Sequence, residues 1–255
     1  CACVLGVFLT GCGGGSSSGS GGSSPDQEAL FVAVANSIYS NVLVACVVAD
    51  RVSQSCTLST LPLLGQQTNS PSVDDILART VISDAWMANR FREFLERLPA
   101  DALPLFKAVT AVVIAGDIRP SFYTNLPGAI YIAPARFWLT NAEKNTISTA
   151  ADFRADFGDS LSFVSLFRYV EGNDYAWEYF PLDGNETRTI NDIVRPLAAL
   201  LFHELAHAND VFPPARISSL DSTRRVVEAA DAIAAFGVSE TLAAAQPLVS
   251  DIWFG

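Results

Sequence analysis

The apolar positions of residues 26–55 recur at helical spacing, although many of their side chains are β-branched. We predict that this region is mostly helical. Residues 70–99 show the helical spacing more clearly, with apolar side chains three and four positions apart. Ser72 and Asp75 are spaced as a capping box that begins a helix, and Pro99 would end that helix. The first part of the chain is therefore expected to be helical.

Three stretches in the middle of the chain predict β-strands. Residues 106–118 form a β-branched run, residues 128–140 alternate around Ile130 and Ile132, and residues 161–170 place aromatic side chains at alternate positions. Loops rich in Asn, Gly, Asp and Pro separate these stretches. A small sheet in the centre of the chain follows from this pattern.

Residues 195–214 again show helical spacing, with leucines forming an apolar stripe. Pro196 suits the first turn of a helix, where its missing N–H group would have no helical partner in any case. Pro213 and Pro214 would stop the helix. We therefore predict a helix that begins near Pro196 and ends before Pro213.

A second C-terminal helix is predicted within residues 219–237. Asp221 or Ser222 would cap its start, and Gly237 would lie just past its end. The chain thus runs from helices to a few strands and back to helices, without an internal repeat. This order favours a mostly helical α+β domain over alternating βαβ units. We expect residues 26–255 to form one domain, in which a small mixed or antiparallel sheet packs against the helix of residues 195–214.

Composition narrows the classes of function that the chain can have. Half of its 255 residues are apolar and 17% are charged, which suits a buried core and excludes a largely disordered chain. The net charge is −11. A nucleic-acid partner is not expected, because a phosphate-binding surface needs clustered Lys and Arg.

The first residues, CACVLGVFLTGC, contain an apolar run that ends in small residues before Cys12. This pattern resembles the signal peptide and lipobox of bacterial lipoproteins, here without its basic start. The resemblance implies that residues 1–12 are a truncated signal peptide and that Cys12 carries the lipid. An ordinary secretion signal or a fragment of a membrane helix are the alternatives.

Residues 13–25 are nearly pure Gly and Ser and are expected to be a flexible tether. A lipid, a tether and a domain together predict a protein anchored to a membrane in the bacterial cell envelope. If the source is Gram-negative, Gly13 after the lipidated cysteine favours the outer membrane, with the domain facing the periplasm.

Beyond Cys12, the cysteines that remain are Cys46 and Cys56. An oxidising envelope compartment favours a disulfide between them. Two buried free thiols are the alternative. Neither cysteine has a histidine nearby in the sequence, so thiol catalysis is not expected.

The two histidines of the chain lie four positions apart, as His203 and His207, with Glu204 between them. Residues four apart share one face of a helix, so both imidazoles can point at one metal ion. Glu204 is rotated by about 100° from His203, which places its carboxylate beside the metal. Chance produces this arrangement in roughly 1 in 3,000 chains of this composition, so coincidence is a poor explanation.

The sequence HELAH resembles the His-Glu-x-x-His motif of zincin metallopeptidases over this one helix. The resemblance implies that His203 and His207 bind zinc and that Glu204 is the general base towards a zinc-activated water. A pair of structural histidines is the alternative. The metzincin pattern is excluded, since the chain has no third histidine.

A catalytic zinc site needs a third protein ligand. Glu228 lies 21 residues after His207, similar to the spacing in thermolysin-like gluzincins, where a Glu of the next helix binds the metal. Asp231 would then resemble the aspartate that supports a ligand in that family, although it comes one residue early. Asp210 lies on the histidine face and is expected to hydrogen-bond a ligand histidine. Asp210 itself, Glu240 and a residue beyond Gly255 remain alternative third ligands.

The resemblance also implies that an extended substrate pairs with the edge of a sheet, for which residues 129–133 are the candidate. The oxyanion stabiliser stays open among Tyr123, Tyr131, Tyr169, Tyr175 and Arg168. The sequence thus predicts a membrane-anchored, zinc-dependent metallopeptidase that acts on peptides or proteins. A non-catalytic envelope lipoprotein with a zincin-like helix, or a hydrolase of cell-wall material, are the alternatives.

Overall fold

The structure is a computed structural model, and it describes residues 30–150 and 169–234. The strands are β1 (Phe31–Val32), β2 (Thr80–Ile82), β3 (Ala111–Ile114), β4 (Phe122–Thr124), β5 (Ala129–Ile132), β6 (Val170–Glu171) and β7 (Asp174–Tyr175). The α-helices are α1 (Leu43–Val47), α2 (Val73–Leu77), α3 (Ala85–Leu95), α4 (Asn141–Lys144), α5 (Ile190–Val211), α6 (Pro214–Ile217) and α7 (Val226–Ala234). Short 3-10 helices include Ala100–Ala108.

The main sheet has five strands in the order β1-β2-β3-β5-β4. Strands β2, β3 and β5 are parallel, and the antiparallel strands β1 and β4 form its two edges. Strands β6 and β7 form a separate antiparallel hairpin. The predicted α+β class with a small mixed sheet is confirmed.

Apolar side chains cover both faces of the main sheet. On one face, Ile114 and Ile132 belong to the core that contains Phe91 of α3 and Leu201 of α5. The opposite face carries Val113 and packs against α1. Helix α5 is therefore held against one face of the sheet, as the sequence predicts.

The prediction of a mostly helical region over residues 26–55 is wrong for its described part. Apart from the five-residue helix α1, residues 30–55 form a two-residue strand, turns and one 3-10 turn. The many β-branched side chains lose rotamer freedom in a helix, which weakens its formation here. Ser37 also fixes a turn, because its hydroxyl donates to the Ala78 carbonyl at 2.7 Å.

The helix predicted within residues 70–99 is interrupted by β2. The capping box of Ser72 and Asp75 is confirmed, but it begins only the five residues of α2. Thr80, Val81 and Ile82 then leave the helix and pair with β3, because three consecutive β-branched residues favour a buried strand. Asp84 caps the next helix, α3.

The strands predicted within residues 106–118 and 128–140 are confirmed with narrower bounds, as β3 and β5. The third predicted strand, residues 161–170, lies outside the described residues up to position 168. Only its end is described, where Val170 begins β6.

Helix α5 begins six residues before Pro196, which corrects the predicted start. Thr189 caps it, and Asp192 accepts the Thr189 backbone N–H at 2.6 Å. This capping box supplies acceptors for backbone N–H groups in the first turn, so the helix begins at Ile190 and Pro196 is an interior residue. The predicted stop is confirmed, because α5 ends at Val211 before the two prolines.

The predicted N-cap of α7 is wrong as well. Helix α7 begins at Val226, whereas Asp221 accepts bonds from the backbone and hydroxyl of Thr223 in the preceding turn. This local bond lets the chain turn before the helix begins. The predicted end at Gly237 lies outside the described residues.

Cys46 and Cys56 form a disulfide, as predicted. It closes a loop with a sequence separation of 10 and ties α1 to the following loop.

The disulfide restricts the unfolded chain, and we expect its removal to lower the free energy of unfolding by about 2–3 kcal/mol. Urea denaturation of a Cys46→Ala/Cys56→Ala variant measures this loss. A reductant should destabilise the native chain equally and leave the variant unchanged; a variant as stable as the native chain would contradict the prediction.

Glu143 at the start of α4 joins two segments of the chain. Its carboxylate accepts the N–H groups of Leu139 and Thr140 at 2.7 and 3.0 Å and pairs with Arg90 at 2.9 Å. Burial alone would raise the pKa of Glu143, but these donors outweigh it and hold the pKa below its usual value.

A Glu143→Gln variant is expected to lose about 1–2 kcal/mol of stability at pH 7. Because the pKa of Glu143 is lowered on folding, its stabilising effect is complete above the unfolded pKa. The effect is then lost as the pH falls through the folded value. Denaturation curves should therefore differ at pH 7 and converge as the pH is lowered past about 4. A difference that widened as the pH was lowered would contradict this prediction.

Within the described ranges, no helix combines the length and the apolar character needed to span a membrane.

Candidate metal centre

Helix α5 positions both histidines because its apolar stripe is buried. Leu197, Leu201 and Leu205 are almost completely inaccessible and belong to the core on the α5 face of the sheet. His203 is exposed and His207 is half-buried on another side of the same helix. The leucine spacing thus fixes the rotation of α5, and that rotation presents both imidazoles at the surface.

The two imidazoles converge on one point. The Nε2 atoms of His203 and His207 lie 3.1 Å apart, and the ring planes meet at 88°. Two nitrogens bound to one tetrahedral zinc at about 2.0–2.1 Å would lie about 3.3–3.4 Å apart. The pair therefore fits two ligand positions of a tetrahedral metal ion, and a shift of a few tenths of an ångström would complete the fit.

The surroundings of His207 favour a neutral ring. Burial lowers the pKa of His207 most, the neighbouring His203 lowers it further, and the negative charge of Asp210 acts in the opposite direction. A neutral imidazole is the form that binds a metal ion.

Glu204 lies between the histidines in sequence but points towards the sheet. Only 5% of the residue is exposed, which is rare for a carboxylate. Burial raises the pKa of Glu204, whereas His203 and the backbone N–H of Tyr123 oppose that shift. A carboxylate with a raised pKa is better suited to take up a proton near neutral pH.

The Tyr123 N–H belongs to β4, the edge strand of the main sheet. Tyr123 lies opposite Ile130 of β5, and its backbone N–H is close enough to Glu204 to lower the pKa of that carboxylate. Glu204 therefore lies beside β4, which is an edge strand of the sheet that the described residues form. The candidate edge of residues 129–133 is wrong: β5 is an interior strand, because the chain before it folds back as β4 through a turn at Gly128, with φ +70°.

A third metal ligand is not assembled in the described part of the chain. Over residues 30–150 and 169–234, no group of three His, Cys, Asp or Glu side chains is placed to hold a metal ion. Glu228 occupies the first turn of α7, where its carboxylate accepts the Arg225 backbone N–H at 2.9 Å. This is the bond by which a third-position glutamate caps its own helix. Glu228 as a metal ligand stays a prediction.

The other predicted carboxylates are placed as follows. Asp210 is exposed near the end of α5, close enough to His207 to act on it electrostatically. Asp231 is exposed on α7. Their supporting roles stay predictions, and Glu240 lies outside the described residues.

The structure separates the candidate oxyanion stabilisers. The Tyr131 hydroxyl donates to the Val47 carbonyl on the sheet face opposite α5, and the Tyr123 hydroxyl is sealed in the interior without a partner among the described residues. Tyr169 and Tyr175 are exposed on the β6–β7 hairpin. Arg168 lies outside the described residues. Among the described candidates, the hairpin tyrosines alone remain accessible.

Two side chains that the sequence analysis missed fix the surroundings of α5. Arg195 pairs with Glu171 at 2.7 Å and attaches the β6–β7 hairpin to the helix, about 12 Å along its axis from His203. Asn209 donates from Nδ2 to the carbonyls of Leu105 and Leu205 at 2.9 and 2.8 Å, which ties the histidine-bearing turn to the segment Ala100–Ala108. Neither contact has a signal in local sequence, because each joins distant segments.

No protein-family model, no curated protein and no solved structure gives a significant match to this chain. The lipobox, Cys12 and the tether of residues 13–25 lie outside the described residues.

Proposed function

We propose that this chain is a zinc-dependent metallopeptidase. The observation that carries the proposal is the 3.1 Å separation of two imidazole nitrogens beside a buried glutamate whose pKa is raised. Burial of the ligand-bearing helix against a sheet supports it further, because a metal site needs ligands on rigid elements.

Each residue has a distinct role in this proposal. His203 and His207 would hold zinc through Nε2, and Glu228 would supply the third ligand. Zinc would supply the Lewis acidity that lowers the pKa of water and polarises the scissile carbonyl. Glu204 takes the proton from the attacking water and later delivers it to the leaving amine. Asp210 and Asp231 orient ligand side chains.

The open side of β4 supports a peptide substrate over other substrates. An extended peptide can pair with the outward backbone groups of an edge strand, and β4 lies against α5. The backbone N–H of Tyr123 in β4 acts on the Glu204 carboxylate, so the strand and the proposed general base are neighbours. The peptide would therefore align beside the general base, with its scissile bond held near the two histidines.

The proposal includes a location, which rests on the sequence alone. A lipid at Cys12 and the tether of residues 13–25 would anchor the peptidase to the cell envelope, facing the periplasm in a Gram-negative cell. Peptides or proteins of that compartment are therefore the expected substrates, and the acidic chain is not expected to bind nucleic acid.

Metal analysis and a peptide library test the proposal. The purified chain is expected to contain about one zinc per molecule and to cleave internal peptide bonds until a chelator removes the metal. Zinc content far below stoichiometry after reconstitution would overturn the metal site. Stoichiometric zinc with cleavage of peptidoglycan fragments, but not of peptides, would assign the chain to cell-wall hydrolysis.

A non-catalytic envelope protein is the second candidate. The observation that favours it is the carboxylate of Glu228, which caps its own helix in the structure. In that case the chain would bind zinc weakly through two histidines, and a Glu204→Gln variant would retain every cellular function of the native chain.

A further inference from the structure

Exposed apolar side chains cluster on the β6–β7 hairpin. Tyr169, Val170 and Tyr175 are 63, 65 and 67% exposed. Val170 and Tyr175 are cross-strand partners, so their side chains share one face of the hairpin. The ring of Tyr169 stacks on that of Trp177, with the ring centroids 4.6 Å apart. These four side chains form the hairpin surface, and a cluster of this kind is typical of an interaction site.

Arg195 attaches the hairpin to α5. Its Nη1 atom donates to the Glu171 carboxylate at 2.7 Å and to the Ala176 carbonyl at 3.3 Å. Arg195 lies about 12 Å along the helix axis from His203. An extended chain rises about 3.3 Å per residue. A peptide of about ten residues is therefore long enough to contact the hairpin surface and the candidate metal centre together.

The part of the chain that carries the hairpin is strongly acidic. Residues 169–187 contain five acidic residues and neither Lys nor Arg. The longer segment 151–195 includes every arginine on both sides of the hairpin up to Arg195, and it still contains nine acidic residues against four arginines, with no lysine. Its net charge is −5. Such a segment attracts a cationic partner and repels an anionic one.

Two carboxylates beside the exposed rings are free to meet a ligand. Asp174 and Glu178 are exposed, and neither carboxylate has a hydrogen-bond or ion-pair partner among the described residues. The nearby cation Arg195 is paired with Glu171. Arg188 is half-buried, where it donates to two backbone carbonyls. Neither arginine therefore neutralises the two exposed carboxylates.

We propose that the hairpin surface binds a cationic segment of a peptide, with Lys or Arg side chains over its rings and near Asp174 and Glu178. Aromatic rings attract ammonium and guanidinium groups, and the carboxylates supply the opposite charge. An anionic membrane surface is disfavoured by the same charge. A neutral glycan would use the rings but gain nothing from the carboxylates. As a statement about substrate class, this inference rests on the proposed peptidase function, whereas the docking itself needs no zinc.

A ten-residue peptide of alternating lysine and alanine is a suitable probe. Calorimetric titration of the whole chain at low ionic strength is expected to show one peptide per molecule, with binding that weakens as salt is added. The same peptide with glutamine in place of lysine should bind at least about 5-fold more weakly, because it lacks the cations. Equal binding of the glutamine peptide would overturn the proposal. So would binding of cell-wall glycan fragments without binding of the lysine peptide.

Two pairs of variants locate the peptide. Tyr175→Leu removes the ring but keeps an apolar side chain, and it should weaken binding of the lysine peptide by about 2- to 5-fold. The matched Tyr175→Phe variant keeps the ring and should bind as the native chain does. Asp174→Asn/Glu178→Gln should weaken binding by at least about 2-fold. Asp50→Asn/Glu96→Gln makes the same charge change outside the hairpin and should leave binding unchanged. Native binding in Tyr175→Leu, or an equal loss in both charge variants, would overturn the proposal.

Cleavage kinetics separate this inference from the peptidase proposal. Once a peptide library gives a cleaved sequence, adding lysines beside it should lower KM by at least about 5-fold relative to glutamines. An equal KM for both peptides would overturn the docking surface and leave the peptidase proposal intact. Selective binding of the lysine peptide without any cleavage would support the docking surface and count against the peptidase.

Discussion

Replacing Glu204 with Gln is expected to lower kcat/KM for peptide hydrolysis by about 10²- to 10⁴-fold, the usual contribution of a general base. Gln keeps the size of the side chain and an oxygen that can accept the Tyr123 N–H, so the fold should be retained. It lacks a basic carboxylate, so it cannot take the proton from the attacking water. Zinc content should remain that of the native chain, because Glu204 is not among the proposed ligands.

This experiment needs two parallel measurements, metal content and single-turnover rate, on the same preparation. Glu96→Gln is a matched control, since Glu96 is exposed at the end of α3. It removes the same charge and should leave both quantities unchanged. If Glu204→Gln keeps the native rate at native zinc content, the assignment of the general base is wrong. If it loses zinc as well, Glu204 belongs to the metal site itself.

Removing either histidine is expected to abolish zinc binding and activity together. In His203→Ala or His207→Ala, one imidazole remains, and the convergence of two Nε2 atoms at 3.1 Å is lost. Removal of a residue that only hydrogen-bonds a metal ligand lowers metal affinity by roughly 10- to 100-fold. Removal of a histidine ligand itself should lower the zinc affinity by more than that. Competition with a chromophoric chelator measures the affinity, and thermal melting of the metal-free protein checks the fold. Native zinc affinity in either variant would contradict the proposal.

The same competition assay identifies the third ligand. If Glu228 binds zinc, Glu228→Gln should resemble the histidine variants. Asp210→Asn should lose only the smaller factor of a supporting residue. A weak effect of Glu228→Gln together with a strong effect of Glu240→Gln would move the ligand assignment to Glu240. Zinc dissociation constants for the three variants therefore decide between a capping and a metal-binding role for Glu228.

The convergence of the histidines could be predicted from sequence because it depends on one helix. A spacing of four residues and a buried leucine stripe determine both the shared face and its orientation. The disulfide was predictable for a similar reason, since Cys46 and Cys56 are close in the sequence. In both cases, local geometry is sufficient.

The surroundings of Glu204 could not be predicted, because the backbone N–H that lowers its pKa belongs to a strand about 80 residues earlier. Local patterns also missed β2: the helical spacing of apolar residues runs through Thr80–Ile82, whereas the β-branched side chains of these three residues favour a strand. Pairing with β3 decides between the two, and that partner is remote in the sequence. The same limit applies to Glu228, whose capping bond competes with the predicted metal-binding role.

The two edges of the main sheet are unusually short. Strand β1 has two residues and β4 has three, and prolines flank β4 at positions 120 and 127. A short edge flanked by prolines has room for only a short incoming segment, which limits sheet growth from one molecule to the next. Among the described strands, these two edges therefore offer a poor template for fibril growth compared with a longer exposed edge.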